Sequence, residues 1–504
     1  MELSPEICER ARLTRDARFD GRFFIGVTST GVYCRPVCPV QPPQPKNVRF
    51  FPSAAAAAEA GFRPCLRCRP ESSPGTPAWN GTTSTVARAL RLIAEGALDQ
   101  GSVDRLATVL GVSSRHLRRL FFEHLGATPI AVAQTRRLHF AKKLLDETVL
   151  PMTEVALSAG FGSIRRFNAT FQSTFGRNPR TLRRAALPAQ ALGSGSVSLQ
   201  LGFRPPYAWE VLIDFLAARA TPGVEQVDGS SYRRTIAFDR QQGLLEVRRG
   251  KAANCLELRV LFPDPRALVS IVERVRRIFD LGADPIEIEN HLRRDPQLAR
   301  RIAAQPGLRV PGAWDGFELT VRAILGQQVT VQAASTLAGR LAQAFGQPLG
   351  DSGEDGLHLL FPTPDALAQA DIARIGLPGK RAEAIRRLAE AVARGRIAFD
   401  ASVAPEQLQR QLAELPGIGD WTAQYVAMRA LGEPDAFPAS DLGLLRAASG
   451  TGRKITPAQL LEQAEAWRPW RAYAAMHLWN DLSTPLRNRS KGRRRKVDRR
   501  GDTR

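Results

Sequence analysis

Cys34 and Cys38, in "GVYCRPVC", and Cys65 and Cys68, in "FRPCLRCRP", form a C-x3-C pair and a C-x2-C pair separated by 26 residues. Only six cysteines occur in 504 residues, so this gathering of four constrains the fold more than any other feature. Four thiolates at such spacing suit one tetrahedral zinc ion. A small segment too poor in apolar residues to build its own core closes around the metal instead. Read alone, the pattern is a structural site.

The chain is too long for one core, which points to several domains. No 18-residue apolar run occurs, and the start "MELSPEICERAR" lacks the basic and apolar regions of a secretory signal. The expectation is a cytoplasmic protein with no membrane partner, in which reduced thiols bind metal rather than form disulfides. Lys plus Arg total 71 against 49 Asp plus Glu, a formal charge of +22, which fits a polyanion such as nucleic acid. Part of that charge lies in "RNRSKGRRRKVDRRGDTR", so residues 486–504 are expected to be a basic, disordered tail. Ser-, Gly- and Pro-rich stretches near 71–82 and 186–196 read as linkers.

Arg35, Arg63, Arg67 and Arg69 crowd the four cysteines, as a module would that holds a DNA phosphate against its metal. The segments "DGRFFIGVTSTGVYCRPVCP", "NVRFF" and "AGFRPCLRCRP" resemble the N-terminal domain of Ada-type regulators of the adaptive response. That resemblance implies that Cys34 accepts a methyl group from DNA methylphosphotriesters, with Cys38, Cys65 and Cys68 as the remaining zinc ligands. Four thiolates around Zn2+ carry a net charge of about −2, and methylating one leaves about −1, so repulsion from DNA falls. Gln41 stands where the family contacts DNA with arginine.

Between residues 84 and 184, "LATVLGVSSRHLRRLFFEHLG" and "VALSAGFGSIRRFNATFQSTFG" share one pattern. Ala107 and Ala156 each stand four positions before a glycine, Gly111 or Gly160, and a basic helix follows. A glycine in the turn lets two helices approach closely, and the second helix of each pair would enter a major groove. Candidate readers are Ser114, Arg115, His116 and Arg118 in the first copy, and Ser163, Arg165 and Arg166 in the second. The region is similar to the double helix-turn-helix domain of AraC-type regulators. His139, between the copies, is expected to be a structural or surface residue rather than a ligand.

Residues 197–311 alternate apolar runs with turns and read as an α+β domain, and helical spacing takes over from 312. In "LPGIGDWTAQYVAMRAL", Gly417 and Gly419 make a hairpin whose backbone N–H groups can grip a DNA phosphate without reading sequence. Asp441, in "FPASDLGLL", stands where a helix begins; alone it is an N-cap. Beside the hairpin it becomes a carboxylate able to stabilise positive charge on a deoxyribose and to orient or deprotonate water. The assembly resembles the helix-hairpin-helix glycosylases, and most of all the AlkA-type 3-methyladenine DNA glycosylase II family. The resemblance implies that Asp441 is catalytic and that Phe215, Trp421, Tyr425 and Trp479, with Leu442, line a base pocket. It also implies that carbonyls of Ala413, Leu415 and Ile418 hold a monovalent cation. Electron-rich rings favour cationic alkylated purines.

Two departures stand out: Gln328 occupies the family's apolar wedge position, and Leu442 replaces an aromatic. Trp421 stands where strand-cleaving relatives carry a lysine, so base release alone is expected. No Pro-Cys-His-Arg segment of an O6-alkylguanine methyltransferase is found, and Cys8 and Cys255 read as ordinary buried thiols.

The expected architecture is a multidomain, mainly α chain with α+β parts. It comprises a small four-cysteine zinc domain (1–75), an all-α AraC-type domain (84–185), an AlkA-like α+β sheet domain (197–311), an all-α helix-hairpin-helix domain (312–485) and the tail. The expected protein repairs alkylated DNA and activates transcription, binding alkylated bases, methylphosphotriesters and promoter sites in double-stranded DNA, and RNA polymerase. It is expected to be a nucleoid-associated monomer with one zinc and no organic cofactor. A second reading is a regulator whose glycosylase half has decayed.

Overall fold

The computed structural model describes residues 3–75, 84–183, 196–238, 240–350, 356–449 and 454–480. The basic run after 485 and most of both linker stretches lie outside the described residues.

After helix α1 (Pro5–Leu13), strands β1 (Phe24–Val27), β2 (Val32–Cys34), β3 (Val48–Phe51) and β4 (Arg63–Pro64) form a sheet in the order β3-β1-β2-β4. Gly31, at φ +63°, closes the β1–β2 hairpin in a conformation that costs glycine little. Strand β2 ends on Cys34 and β4 stops one residue before Cys65, so parallel β2–β4 pairing brings the two cysteine pairs together. The alanine-rich α2 (Ala54–Glu59) packs on this sheet and is capped by Ser53, whose hydroxyl accepts the Ala56 N–H.

Helices α3 (Ser84–Ala94), α4 (Val103–Leu110), α5 (Ser114–Leu125), α6 (Pro129–Glu147), α7 (Met152–Ser158), α8 (Ile164–Phe175) and α9 (Pro179–Leu182) make the second unit. The duplicated pattern folds as two similar helix pairs. Gly111 and Gly160 take φ values of +73° and +84° in the turns, and Ala107 and Ala156 are buried where the paired helices meet. Ser113 and Ser163 cap α5 and α8 by accepting the N–H of His116 and Arg166.

A five-stranded antiparallel sheet follows: β5 (Ser196–Gly202), β6 (Glu225–Val227), β7 (Ser231–Phe238), β8 (Gln241–Arg249) and β9 (Cys255–Leu261), in the order β5-β9-β8-β7-β6. Helices α10 (Trp209–Ala217) and α11 (Leu268–Ile278) cover it, with Trp209 stacked on Phe279. The remainder is helical: α12 (Pro285–Leu292), α13 (Pro296–Ala304), α14 (Gly316–Leu325), α15 (Val331–Phe345), α16 (Pro364–Ala368), α17 (Gly379–Ala393), α18 (Pro405–Ala413), α19 (Asp420–Arg429), α20 (Leu442–Ser449), α21 (Pro457–Ala464) and α22 (471–480). Among the described residues no helix is long and apolar enough to cross a membrane.

The units are welded together. Phe167 and Phe171 of α8 belong to the same apolar core as Leu201, Val260 and Val275 of the sheet unit. Arg22, beside the first sheet, pairs with the buried Asp284 at 2.9 Å, and Arg277 of α11 pairs with Glu95 after α3.

Candidate functional site

The cysteine sulfurs of residues 34, 38, 65 and 68 all lie within 4.8 Å of one another, with Cys34, Cys65 and Cys68 buried and Cys38 partly open. Four sulfurs gathered this closely can stand at the corners of one tetrahedron, so the donor set fits zinc. The Arg35 backbone N–H donates to Cys68 Sγ at 3.3 Å, a contact that suits a ligating thiolate.

The four flanking arginines separate into two kinds. Arg63 and Arg67 are exposed. Arg35 is turned inward, donating to the Asp20 carboxylate and the Cys68 carbonyl. Arg69, at φ +55°, reaches Asp146 at 3.1 Å and Glu147 at 2.9 Å on α6. The reason is electrostatic: Asp146 has no exposed side-chain surface and Asp20 very little, and a buried carboxylate requires a cation. His139 meets Tyr33 across the same junction, its Nε2 2.6 Å from the phenol oxygen.

On α5, Arg115 and Arg118 are exposed and Ser114 and His116 half-buried; before and on α8, Ser163, Arg165 and Arg166 are exposed. Ser163 spends its hydroxyl on the helix cap.

In the helical unit, α18 and α19 are joined through Leu415, Pro416, Gly417, Ile418 and Gly419. Gly417 takes φ +90° and a Cβ there would meet Ala384 at 2.9 Å, so the turn requires glycine. Gly419 is the N-cap of α19, while the Leu415 carbonyl accepts the Ile418 N–H. Ala413 closes α18. The Gln327 amide donates to the Gly417 carbonyl at 3.0 Å, and Arg381 donates to the Gln327 carbonyl at 3.1 Å. This brace holds the exposed Gln328 at φ +58° beside the hairpin.

Asp441 precedes α20 and caps it: Oδ1 accepts the Leu444 N–H at 2.9 Å. Trp479 Nε1 of α22 donates to the same oxygen, and Trp421 Nε1 of α19 donates to Oδ2, each at 2.9 Å. Three N–H groups thus fix the carboxylate from three helices and leave it only acceptor work. Trp421 stacks on Tyr425 with centroids 5.3 Å apart and planes 11° from parallel, and Trp479 meets Tyr425 edge to face. Phe215, from α10, faces this group across the unit boundary, and Leu442 stands 69% exposed at its rim. Two positions before Trp479, His477 is 3% exposed, and burial pushes its imidazole down to about 4.

Sequence reading missed Gln327, Arg381, Arg219 and Arg429. Gln327 was visible in "GQQVT"; Arg381 and Arg429 gave no signal, because Gln327 and the Pro311 carbonyl that they bind lie far away in the chain, while Arg219 stands one helical turn after Phe215, whose ring its guanidinium covers at 3.7 Å.

Taken together, the cysteine centre, paired helix-turn-helix units and braced carboxylate beside a hairpin define a regulator joined to a helix-hairpin-helix base-excision protein. Residues 7–71 match the metal binding domain of Ada, 106–185 a helix-turn-helix domain, 198–315 the AlkA N-terminal domain, and 321–472 the HhH-GPD superfamily of base excision DNA repair proteins. A probable bifunctional transcriptional activator/DNA repair enzyme AlkA of Mycobacterium tuberculosis is 44% identical over 484 residues, covering 95% of this chain and 97% of that protein. DNA-3-methyladenine glycosylase 2 of Escherichia coli is 39% identical over 55% of this chain and 95% of its own length. The bifunctional transcriptional activator/DNA repair enzyme AdaA of Bacillus subtilis is 31% identical over 34% of this chain and 80% of its own. The chain belongs to the family of the bifunctional transcriptional activator/DNA repair enzyme AlkA.

Proposed function

We propose that the protein excises alkylated purines such as 3-methyladenine from DNA, accepts methyl groups from DNA methylphosphotriesters, and activates transcription in response. The observation that carries the first activity is the pair of indole N–H groups on Asp441, one to each oxygen. With a damaged nucleotide turned out of the stack, Asp441 faces the sugar and stabilises the positive charge that grows as the C1′–N bond breaks. The bonding pair leaves with the base, water adds to C1′, and Asp441 takes the water's proton. Trp421 offers no amine for a Schiff base, so catalysis ends at base release. Gly417 and Gly419 grip a phosphate, Gln328 enters the gap left by the base, Leu442 borders the pocket, and carbonyls of Ala413, Leu415 and Ile418 hold a monovalent cation.

In the first unit Cys34, Cys38, Cys65 and Cys68 would hold zinc, which keeps thiols ionised at neutral pH. Cys34 Sγ forms a bond to the phosphotriester methyl carbon while the C–O bond breaks and its electron pair stays on the phosphate. Arg63 and Arg67 position that phosphate, and Arg35 and Arg69 brace the ligand loops. Arg115, Arg118, Arg165 and Arg166, with Ser114, His116 and Ser163, meet promoter DNA. RNA polymerase is the downstream partner, the chain acts as a monomer at the nucleoid, and the unit boundaries are 1–75, 84–185, 197–311 and 312–485.

The test compares base release from methylated duplex DNA by the protein and by Asp441→Asn, with mass spectrometry of the Cys34 peptide in the same reaction. The expected result is 3-methyladenine freed only by the unmutated protein and a gain of one methyl group on Cys34. A methylated Cys34 without base release would leave a regulator alone.

A further inference from the structure

Two exposed cations beside the hairpin have no partner of their own. The side chains of Lys380, in the first turn of α17, and Arg340, on α15, make no hydrogen bond or ion pair with any described residue. The acid nearest to Lys380 along its helix, Glu383, is taken by Arg386 at 2.8 Å and Arg387 at 2.7 Å. Residues 372–382 carry three cations, Arg374, Lys380 and Arg381, and no acid. Arg374 is exposed and fixed, its guanidinium 4.5 Å from the Phe345 centroid and donating to the Ala344 carbonyl at 3.0 Å. Arg340 Nη1 comes 3.7 Å from where a Cβ on Gly376 would stand, and Gly376 lies four residues before Lys380. Uncompensated positive charge therefore collects around the Gly376 turn.

This charge adjoins the hairpin. Ala384, four residues after Lys380 and on the same face of α17, lies 2.9 Å from where a Cβ on Gly417 would stand. Arg381 donates to the Gln327 carbonyl, and Gln327 to the Gly417 carbonyl. Lys380 thus stands one helical turn, about 5 Å along the axis, from the hairpin contact. A helical side chain leans toward the start of its helix, so the ammonium extends past α17 toward Gly376 and Arg340.

We propose that Lys380 and Arg340 continue the hairpin's grip along the DNA, each taking a backbone phosphate of the duplex that flanks the lesion. Such contacts hold the register of the duplex without reading its sequence. The inference rests on the glycosylase reading and extends its DNA footprint beyond the nucleotide that is turned out.

The experiment measures single-turnover release of 3-methyladenine by the full-length protein from a duplex with one lesion, whose flanking phosphates are replaced one at a time by uncharged methylphosphonates. These carry no ester methyl for Cys34 to accept. Only contacts in fixed register with the lesion give a loss that depends on position. Neutralising the phosphate held by Lys380 should raise the half-saturating protein concentration about fivefold. In Lys380→Gln the same replacement should change nothing further, while the other positions keep their effects; Arg340→Gln should silence a different position. Lys380→Glu separates binding from folding. An acid suits the first turn of a helix, so the melting temperature should hold or rise while the half-saturating concentration rises more than in Lys380→Gln. A position silenced by one variant alone confines the contact to that cation and overturns it for the other. If the unmutated protein frees no base, the glycosylase reading fails and this inference falls with it; if it frees base and neither variant silences any position, only the inference falls.

Discussion

Trp479 Nε1 donates to Asp441 Oδ1 at 2.9 Å, so a side chain on the last described helix aims the carboxylate that begins α20. Trp421 does the same to Oδ2 from α19. Three helices must therefore keep their relative positions for Asp441 to keep its three donors.

Asparagine is as good an N-cap as aspartate, so Asp441→Asn should keep α20, but its amide nitrogen faces the Trp421 N–H, so the fold should lose about 1–3 kcal/mol while base release falls at least about a hundredfold. Calorimetry and single-turnover release on one preparation check both halves.

Trp479→Phe keeps an aromatic ring and removes one donor. The expected effect is about a tenfold loss in kcat with a smaller change in KM, because the lost contact orients a reacting group. Since Trp421 and Trp479 serve one carboxylate, the double variant should lose less than the product of the single losses.

His477 is buried, and among the described residues its Nδ1 has no hydrogen-bond partner. Burial lowers its pKa to about 4, so the folded state disfavours the charged imidazole. The unfolded chain binds the proton below its ordinary value of about 6.5, and stability should fall as pH drops from there toward 4. At pH 5 the loss is about 2 kcal/mol relative to pH 8. His477→Phe should flatten this part of the curve of melting temperature against pH.

Stripping the metal with a chelator should abolish hydrogen-exchange protection in β1, β2 and β4, whose pairing depends on the cysteine pairs being joined. Protection in α19 and α22 should fall much less.

Arg67 and Arg69 should behave differently although they stand only two positions apart. Arg67→Ala should reduce the salt dependence of DNA binding by about one ion. Arg69→Ala leaves Asp146 and Glu147 short of a partner and should cost about 2 kcal/mol of stability, softened because Lys142 and Lys143 remain. Salt titrations and thermal melts separate the two.

Much of the site was legible because its residues carry local rules. Cysteine spacing announced a metal, Ala107 with Gly111 and Ala156 with Gly160 announced two tight helix turns, and Asp441 with the glycine hairpin announced a carboxylate at a helix start. What stayed hidden depends on partners far away in the chain. Arg69 reads as one more DNA-facing cation until α6 brings Asp146 beside it, and the Pro311 and Gly312 carbonyls that bind Arg429 come from a distant segment. The indole donors were equally silent, since sequence shows aromatic rings and not the direction of their N–H bonds.

The core that Phe167 and Phe171 share with Leu201 and Val260 fixes a dosage. Each molecule made adds one regulatory unit and one base-excision unit, and neither can be produced or diluted apart from the other. A cell carrying this chain cannot change the ratio of regulator to repair unit; it can only change how many copies it makes.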